Sequence, residues 1–380
     1  MCAQTTTSGS ACRVTVDKEN RRIWKSVNRH NQGIENGHDK LWHEAEFIMH
    51  QNLINEYYPL VKDIHYEDED LVVEYEYLFQ GLTMADLIFD SRFSISFLKQ
   101  SLENIAHALF NSFYVKTRLS PNPEYLYNCY FDRLRRRIDR SLELIHTDFQ
   151  EWTRLKTALT QGIFINETYY PPIADYLDYL LSDNQLQQQI MIHNCYNAHH
   201  DLIPENIMVD VQDGLTAIRG FRLIDPRGDA ETGLTNRHPM YDMGKMLFGL
   251  DCYGLFRRAM QKQDFSNFKY FCHSENRYTL VFHTDHLIVQ RLMYCQHLWM
   301  DLLKKQAGND WLRKQKQYAL AFAFMYHPDI PCRIIAEQNE DLCLLFYLRG
   351  MMVLRYCLKI IFGRDPLTND FEPAILWAKE

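Results

Sequence analysis

The run His199-His200-Asp201-Leu202-Ile203-Pro204-Glu205-Asn206 sets a carboxylate five positions ahead of a carboxamide, across a loop stiffened by proline. That spacing suits transfer of a phosphoryl group to a hydroxyl. The carboxylate accepts the proton of the attacking hydroxyl and aligns it, and an amide oxygen about a turn later reaches a magnesium ion. Both groups must come from one rigid loop, because positioning supplies most of the catalysis. The plainer reading is a polar loop shaped by its Pro and Asn. A second signal, Leu223-Ile224-Asp225-Pro226-Arg227-Gly228, follows Asn206 after 19 residues and puts an Asp at the end of a short apolar strand. Such an Asp can bridge a metal ion to phosphates; alone it reads equally as an ordinary Asp-Pro turn. The third is Lys25 within Arg22-Ile23-Trp24-Lys25-Ser26-Val27. A buried ammonium needs a partner. Nucleotide phosphates and a helix glutamate, Glu46 with Glu44 as the next choice, would provide it. In isolation Lys25 reads as a lysine on an edge strand.

These residues need a scaffold, and the chain supplies one in a definite order. Cys12 to Val16 and Arg22 to Val27 are β-favouring runs separated by the polar turn Asp17-Lys18-Glu19-Asn20. Leu41, Ala45, Ile48, Met49 and Leu53 recur at helical spacing, and Leu71 to Tyr75 is a short buried strand. Helices are expected over Phe93 to Val115 and Tyr125 to Ile145, the latter carrying the basic run Arg133-Leu134-Arg135-Arg136-Arg137. That run reads as a solvated face rather than a patch for an anionic partner. Two short strands, Ile207 to Val209 and Phe221 to Ile224, are joined through a turn at Asp213-Gly214, and helices resume from Tyr241 to about Phe362. The expected fold is therefore α+β and bilobal. A small β-rich lobe over residues 1–78 leads through a hinge near Glu76 to Gln80 into a large, mainly helical lobe over 79–380.

Composition narrows the partners. At 46% hydrophobic and 24% charged, the 380-residue chain is globular in type. A net charge of -8 argues against a general nucleic-acid binder, since phosphate backbones reward basic patches. The ten cysteines form no C-x-x-C pair, which excludes zinc-ribbon spacing and suggests thiols in a reducing, cytoplasmic setting. No secretory signal is visible in MCAQTTTSGSACRV, and the apolar stretch Leu342 to Phe362 is interrupted by Arg349, Arg355 and Lys359, so it reads as a buried helix and no membrane association is expected. Two further clusters have bland readings. His283-Thr284-Asp285-His286 is a polar helix start rather than a metal site, and Tyr326 to Arg333 is a rigid loop between two helices. No oligomeric state is specified.

Together these motifs resemble the aminoglycoside phosphotransferase and choline kinase superfamily, whose fold is that of the protein kinases. The resemblance covers the lysine strand, the helix after it, the Leu71 to Tyr75 strand, the loop at His199, the turn at Asp225 and Tyr241-Asp242-Met243-Gly244-Lys245. It implies ATP and Mg2+ as cofactors and a small-molecule hydroxyl acceptor such as an aminoglycoside, a sugar or an amino alcohol. It implies Asp201 as base, His199 bracing the loop, Asn206 and Asp225 as metal ligands, Lys25 on the α- and β-phosphates and Glu46 orienting Lys25. Asp242 would anchor the loop. Ser8, Gly9 and Ser10 would cover the phosphates with backbone N–H groups, and the backbone of Glu74, Tyr75 and Glu76 would meet the adenine. Two departures stand out: the phosphate loop has a single glycine, and Pro-Arg-Gly follows Asp225. A protein kinase is the nearest alternative. Asp225 and Asp242 are only 17 residues apart and no Ala-Pro-Glu follows, which leaves little room for a peptide-docking platform. A catalytically inactive nucleotide-binding scaffold is the other.

Overall fold

The computed structural model describes residues 4–7, 12–30, 37–50, 55–78, 81–114, 127–182, 192, 196–212, 216–227 and 238–363. By its internal contacts the chain forms two compact units, one of residues 1–120 with 194–242, the other of 121–193 with 243–380. The division does not fall at residue 78. The segment carrying His199 and Asp225 is hydrogen-bonded to the elements that follow the sheet, so it groups with the N-terminal residues.

The first unit is built on five antiparallel strands: β1 (Gln4–Thr7), β2 (Arg13–Asp17), β3 (Arg22–Asn28), β4 (Val61–Glu67) and β5 (Asp70–Glu76), in the order β1-β2-β3-β5-β4. Asp17 shapes the first tight turn by accepting the backbone N–H groups of Glu19 and Asn20 at 3.1 and 3.0 Å. β5 carries Leu71, Val72, Val73 and Tyr75, all buried, as befits a strand paired on both edges. Helix α1 (Gly37–Met49) covers the sheet with Leu41, Ala45 and Ile48. Two further helices follow. α2 (Met84–Phe89) opens with a capping box between Thr83 and Asp86, and α3 (Ile95–Ala108) is capped by Ser94 and runs into a π turn at Leu109–Phe113.

The second unit is mainly helical, with α4 (Arg133–Thr147), α5 (Thr153–Thr160) and α6 (Ile173–Ser182). In the basic run of α4, Arg133 and Arg137 stand four apart and are buried among Leu134, Ile138 and Ser141, while Arg135 and Arg136 face outward. The run is thus split between two faces rather than forming one solvated face. Beyond 250, the expectation of continuous helix fails. Phe268–Ser274 and Arg277–Phe282 form a hairpin that joins Ile163–Ile165 and Thr168–Tyr170 in a four-stranded sheet. The segment Tyr326 to Arg333, expected as a loop, is a buried 3-10 turn (His327–Asp329) leading directly into a helix (Ile330–Glu337), whose first turn accommodates Pro331. The helix Glu340–Phe362 is the core of this unit, and its Arg349 is fully buried against Asp251, with Nε to Oδ2 at 2.8 Å. His286 caps the helix Leu287–Ala307, its Nδ1 accepting the Ile288 N–H at 3.3 Å, so that cluster is a helix start. The architecture is α+β, and among the described residues no helix is long and apolar enough to cross a membrane.

Candidate active site

Every described candidate residue falls in the first unit. Lys25 lies in the middle of β3, paired with Val14 on one side and Val73 on the other, so it is not an edge-strand lysine. Its ammonium donates to Glu44 Oε1 at 2.6 Å and to Asp225 Oδ1, and it lies 5.5 Å from the centre of the Tyr75 ring. The Tyr75 hydroxyl completes the cluster by donating to the same Glu44 oxygen at 2.9 Å. Burial works to discharge Lys25, but the adjacent carboxylates of Asp225 and Glu44 overcome it and hold its pKa above the ordinary lysine range. Burial also pushes the Glu44 carboxyl upward, against the pull of Lys25.

The glutamate that holds Lys25 is therefore Glu44, not Glu46. Glu46 stands 37% exposed and its carboxylate meets His43 at 3.3 Å. The reason is helical phase. Leu41, Glu44, Ala45 and Ile48 fall on one stripe at i, i+3, i+4 and i+7, whereas a residue two positions on faces away.

The loop from His199 is held by its backbone. Asp242, fully buried in the first turn of the helix Pro239–Phe248, accepts the N–H groups of His199, at 2.8 Å, and His200, and takes the Tyr114 hydroxyl at 3.2 Å. His199 is neutral by geometry: Nε2 donates to the Ile224 carbonyl at 2.9 Å, and Nδ1 accepts the Asp201 N–H at 3.2 Å. Its ring stacks on Tyr58 with centroids 6.0 Å apart. His200 and Asp225 adopt left-handed backbone angles, φ 62 and 58 degrees, unusual for residues with side chains and typical of functional turns.

Asn206 ends a 3-10 turn (Pro204–Asn206) and opens the two-stranded ladder of Ile207–Asp210 with Gly220–Leu223. This ladder joins Leu82 and Thr83, where Val209 donates to the Leu82 carbonyl at 2.9 Å. Ile224 N–H donates to the Asn206 carbonyl at 2.9 Å, so Asn206 and Asp225 meet at the same end of the ladder. The Asn206 amide NH2 donates to the Asp201 carbonyl at 2.8 Å, which turns its oxygen into the acceptor left to present. A carboxylate and an amide oxygen form a hard, all-oxygen donor set that fits magnesium, which takes few protein ligands beside phosphate and water. Among the described residues there is no cluster of three or more His, Cys, Asp or Glu groups able to hold a metal.

The remaining expectations fare unevenly. Ser8, Gly9 and Ser10 lie outside the described residues. The backbone of Glu74, Tyr75 and Glu76 is already committed to the sheet: these residues pair with Trp24, Ile23 and Arg22, and the Glu76 N–H donates to the Leu60 carbonyl at 2.8 Å. Glu74 turns its side chain to Arg22 at 2.6 Å. The contacts of Tyr58, Tyr75 and Tyr114 are not readable along the chain, since a buried tyrosine carries no signal in the sequence that distinguishes it from core.

No family model matches the chain, and no curated protein sequence matches it. Among solved structures it is similar to the aminoglycoside phosphotransferase APH(3'')-Id from Streptomyces rimosus, with 17% identity and a TM-score of 0.38 over 78% of this chain and 92% of that one.

Proposed function

We propose that this protein transfers a phosphoryl group from ATP to a hydroxyl of a small molecule, with Mg2+ as cofactor. The observation that supports this best is the cluster of Lys25 with Glu44 and Asp225, next in the fold to a loop that presents Asp201 and Asn206. Lys25, kept charged by its partners, binds the nucleotide phosphates. Glu44 and the Tyr75 hydroxyl hold the ammonium in place. Asn206 and Asp225 hold the metal, which when bound neutralises phosphate charge. Asp201 accepts the proton of the acceptor hydroxyl and aligns its oxygen. His199 is a positioning residue: both ring nitrogens are engaged with backbone, so it fixes the tilt of the loop rather than carrying a proton.

The experiment is ADP release by the purified chain with ATP and magnesium, across aminoglycosides, sugars, amino alcohols and a peptide pool. Acceptor-stimulated release is expected, and Asp201→Ala lowers it on the order of 10²–10⁴-fold. Full activity in that variant would overturn the assignment of the base. Stimulation by the peptides alone would replace the small-molecule acceptor with a protein one.

A further inference from the structure

A cavity of about 380 Å³ opens on the first unit, and neither Lys25 nor Asp225 lines it. It is bounded by the last turn of α1, the short turn at Asn55–Tyr57, the start of β4, the end of β5 and Arg222. Its apolar wall includes Met49 and Leu60, which are 48% and 65% exposed. Two carboxylates, Glu56 and Glu76, and one guanidinium, Arg222, also line it. Among the described residues Arg222 has no carboxylate partner; its Nη1 donates only to the neighbouring Phe221 carbonyl at 3.1 Å. Glu76 accepts the Leu60 N–H at 3.3 Å and makes no ion pair with Arg222.

Opposite charges that share a cleft without pairing favour a ligand that brings the complement of both. A simple anion would be repelled by Glu56 and Glu76, a simple cation by Arg222, and an uncharged apolar molecule would desolvate all three groups without compensation. We propose that this cleft binds a free α-amino acid with a large apolar side chain. Its carboxylate meets the Arg222 fork, its ammonium lies toward Glu56 and Glu76, and its side chain covers Met49 and Leu60.

The cleft also shares elements with the candidate site. Tyr58 lines it and stacks on His199, and Met49 belongs to the same helix as Glu44. Occupancy would thus bear on the loop and on the Lys25 clamp at once. This regulatory consequence rests on the phosphoryl-transfer reading, whereas the binding itself does not.

Isothermal titration of the full chain with L-leucine and L-phenylalanine tests the site directly. Saturable one-to-one binding is expected. It should weaken about tenfold or more for leucinol, which lacks the anion, and for N-acetyl-L-leucine, which lacks the cation. Arg222→Gln should weaken L-leucine by a similar factor and leave leucinol unchanged, and Glu56→Gln, at an exposed position, should weaken it without disturbing the fold. No saturable heat with either amino acid, or an unchanged affinity in Arg222→Gln, would overturn the proposal. Amino-acid binding in a chain that turns over no ATP would sink the phosphotransfer reading and leave this site standing.

Discussion

Lys25 is a buried cation facing two carboxylates, and the balance between its burial and its partners decides what the site can do. Because the partners win, the ammonium stays charged through the working pH range and can receive phosphate. Glu44 accepts from Lys25 and from the Tyr75 hydroxyl, while on the proposed reading Asp225 would also serve the metal. Glu44→Gln keeps the Tyr75 contact and removes the charge. It should cost about tenfold or more in kcat/KM for ATP, about 1.4 kcal/mol of transition-state stabilisation. Glu46→Gln, on the outer face, should stay within about twofold. Measured side by side, equal losses in the two variants would contradict the assignment of the clamp. The residue types of this site were legible in the chain: lysine in an apolar strand, Asp and Asn five apart, a second Asp after a strand. The choice between Glu44 and Glu46 was legible too, because Leu41, Ala45 and Ile48 define a stripe that only Glu44 joins. Tyr58, Tyr75 and Tyr114 were not, since only the folded packing brings them to His199, Glu44 and Asp242.

At the scale of elements, the loop is positioned through one buried carboxylate. Asp242 accepts two backbone N–H groups and a tyrosine hydroxyl, and an amide in its place would turn an NH2 toward donors. Asp242→Asn should therefore destabilise the first unit by about 1.5–3 kcal/mol and speed amide exchange at His199 and His200. A thermal melt coincident with wild type, with unchanged exchange, would show that the anchor is dispensable. In the second unit the helix Glu340–Phe362 passes so close to the 3-10 turn that a Cβ on Gly350 would lie 2.8 Å from Tyr326 Cβ and from the His327 ring. Gly350→Ala should cost about 1–3 kcal/mol by overpacking, despite the better helix propensity of alanine. The strong elements were readable from periodicity, such as this helix and the β2–β3 pair. The hairpin Phe268–Ser274 with Arg277–Phe282 was missed among helices, although its alternation of Phe, Tyr, Thr and Val about Glu275-Asn276 follows strand period. The short strands Ile163–Ile165 and Thr168–Tyr170 carry too few residues to show a period, and their pairing with a segment more than a hundred residues away is a tertiary matter.

For the whole molecule, the acid limb of stability is where buried chemistry becomes measurable. His327 is 1% exposed, packed edge-on to Tyr347 at 5.2 Å and closed over by Gly350. Burial drives its pKa down to about 3, and a backbone contact with Tyr347 only partly opposes this. In the unfolded chain the same imidazole takes its proton near its ordinary value of about 6.5. Between those two values the unfolded state holds a proton that the native state refuses, so stability falls as pH is lowered through that window. Above about 6.5 both states are neutral at this site and it contributes no slope. Within the window the expected slope from this one group approaches about 1.4 kcal/mol per pH unit. Carboxylates held low in the native state, such as Glu74 beside Arg22, add to the acid limb below about pH 5, and between pH 6.5 and 5 the share of His327 is the part of the slope that its substitution removes. Denaturant melts across that region for wild type, His327→Phe and His327→Gln separate the contributions. Both variants should show a flattened slope there, whatever their absolute stability, because neither side chain titrates. An unaltered slope in both would mean that His327 reaches its proton without unfolding, and that the turn His327–Asp329 opens to water in the native state.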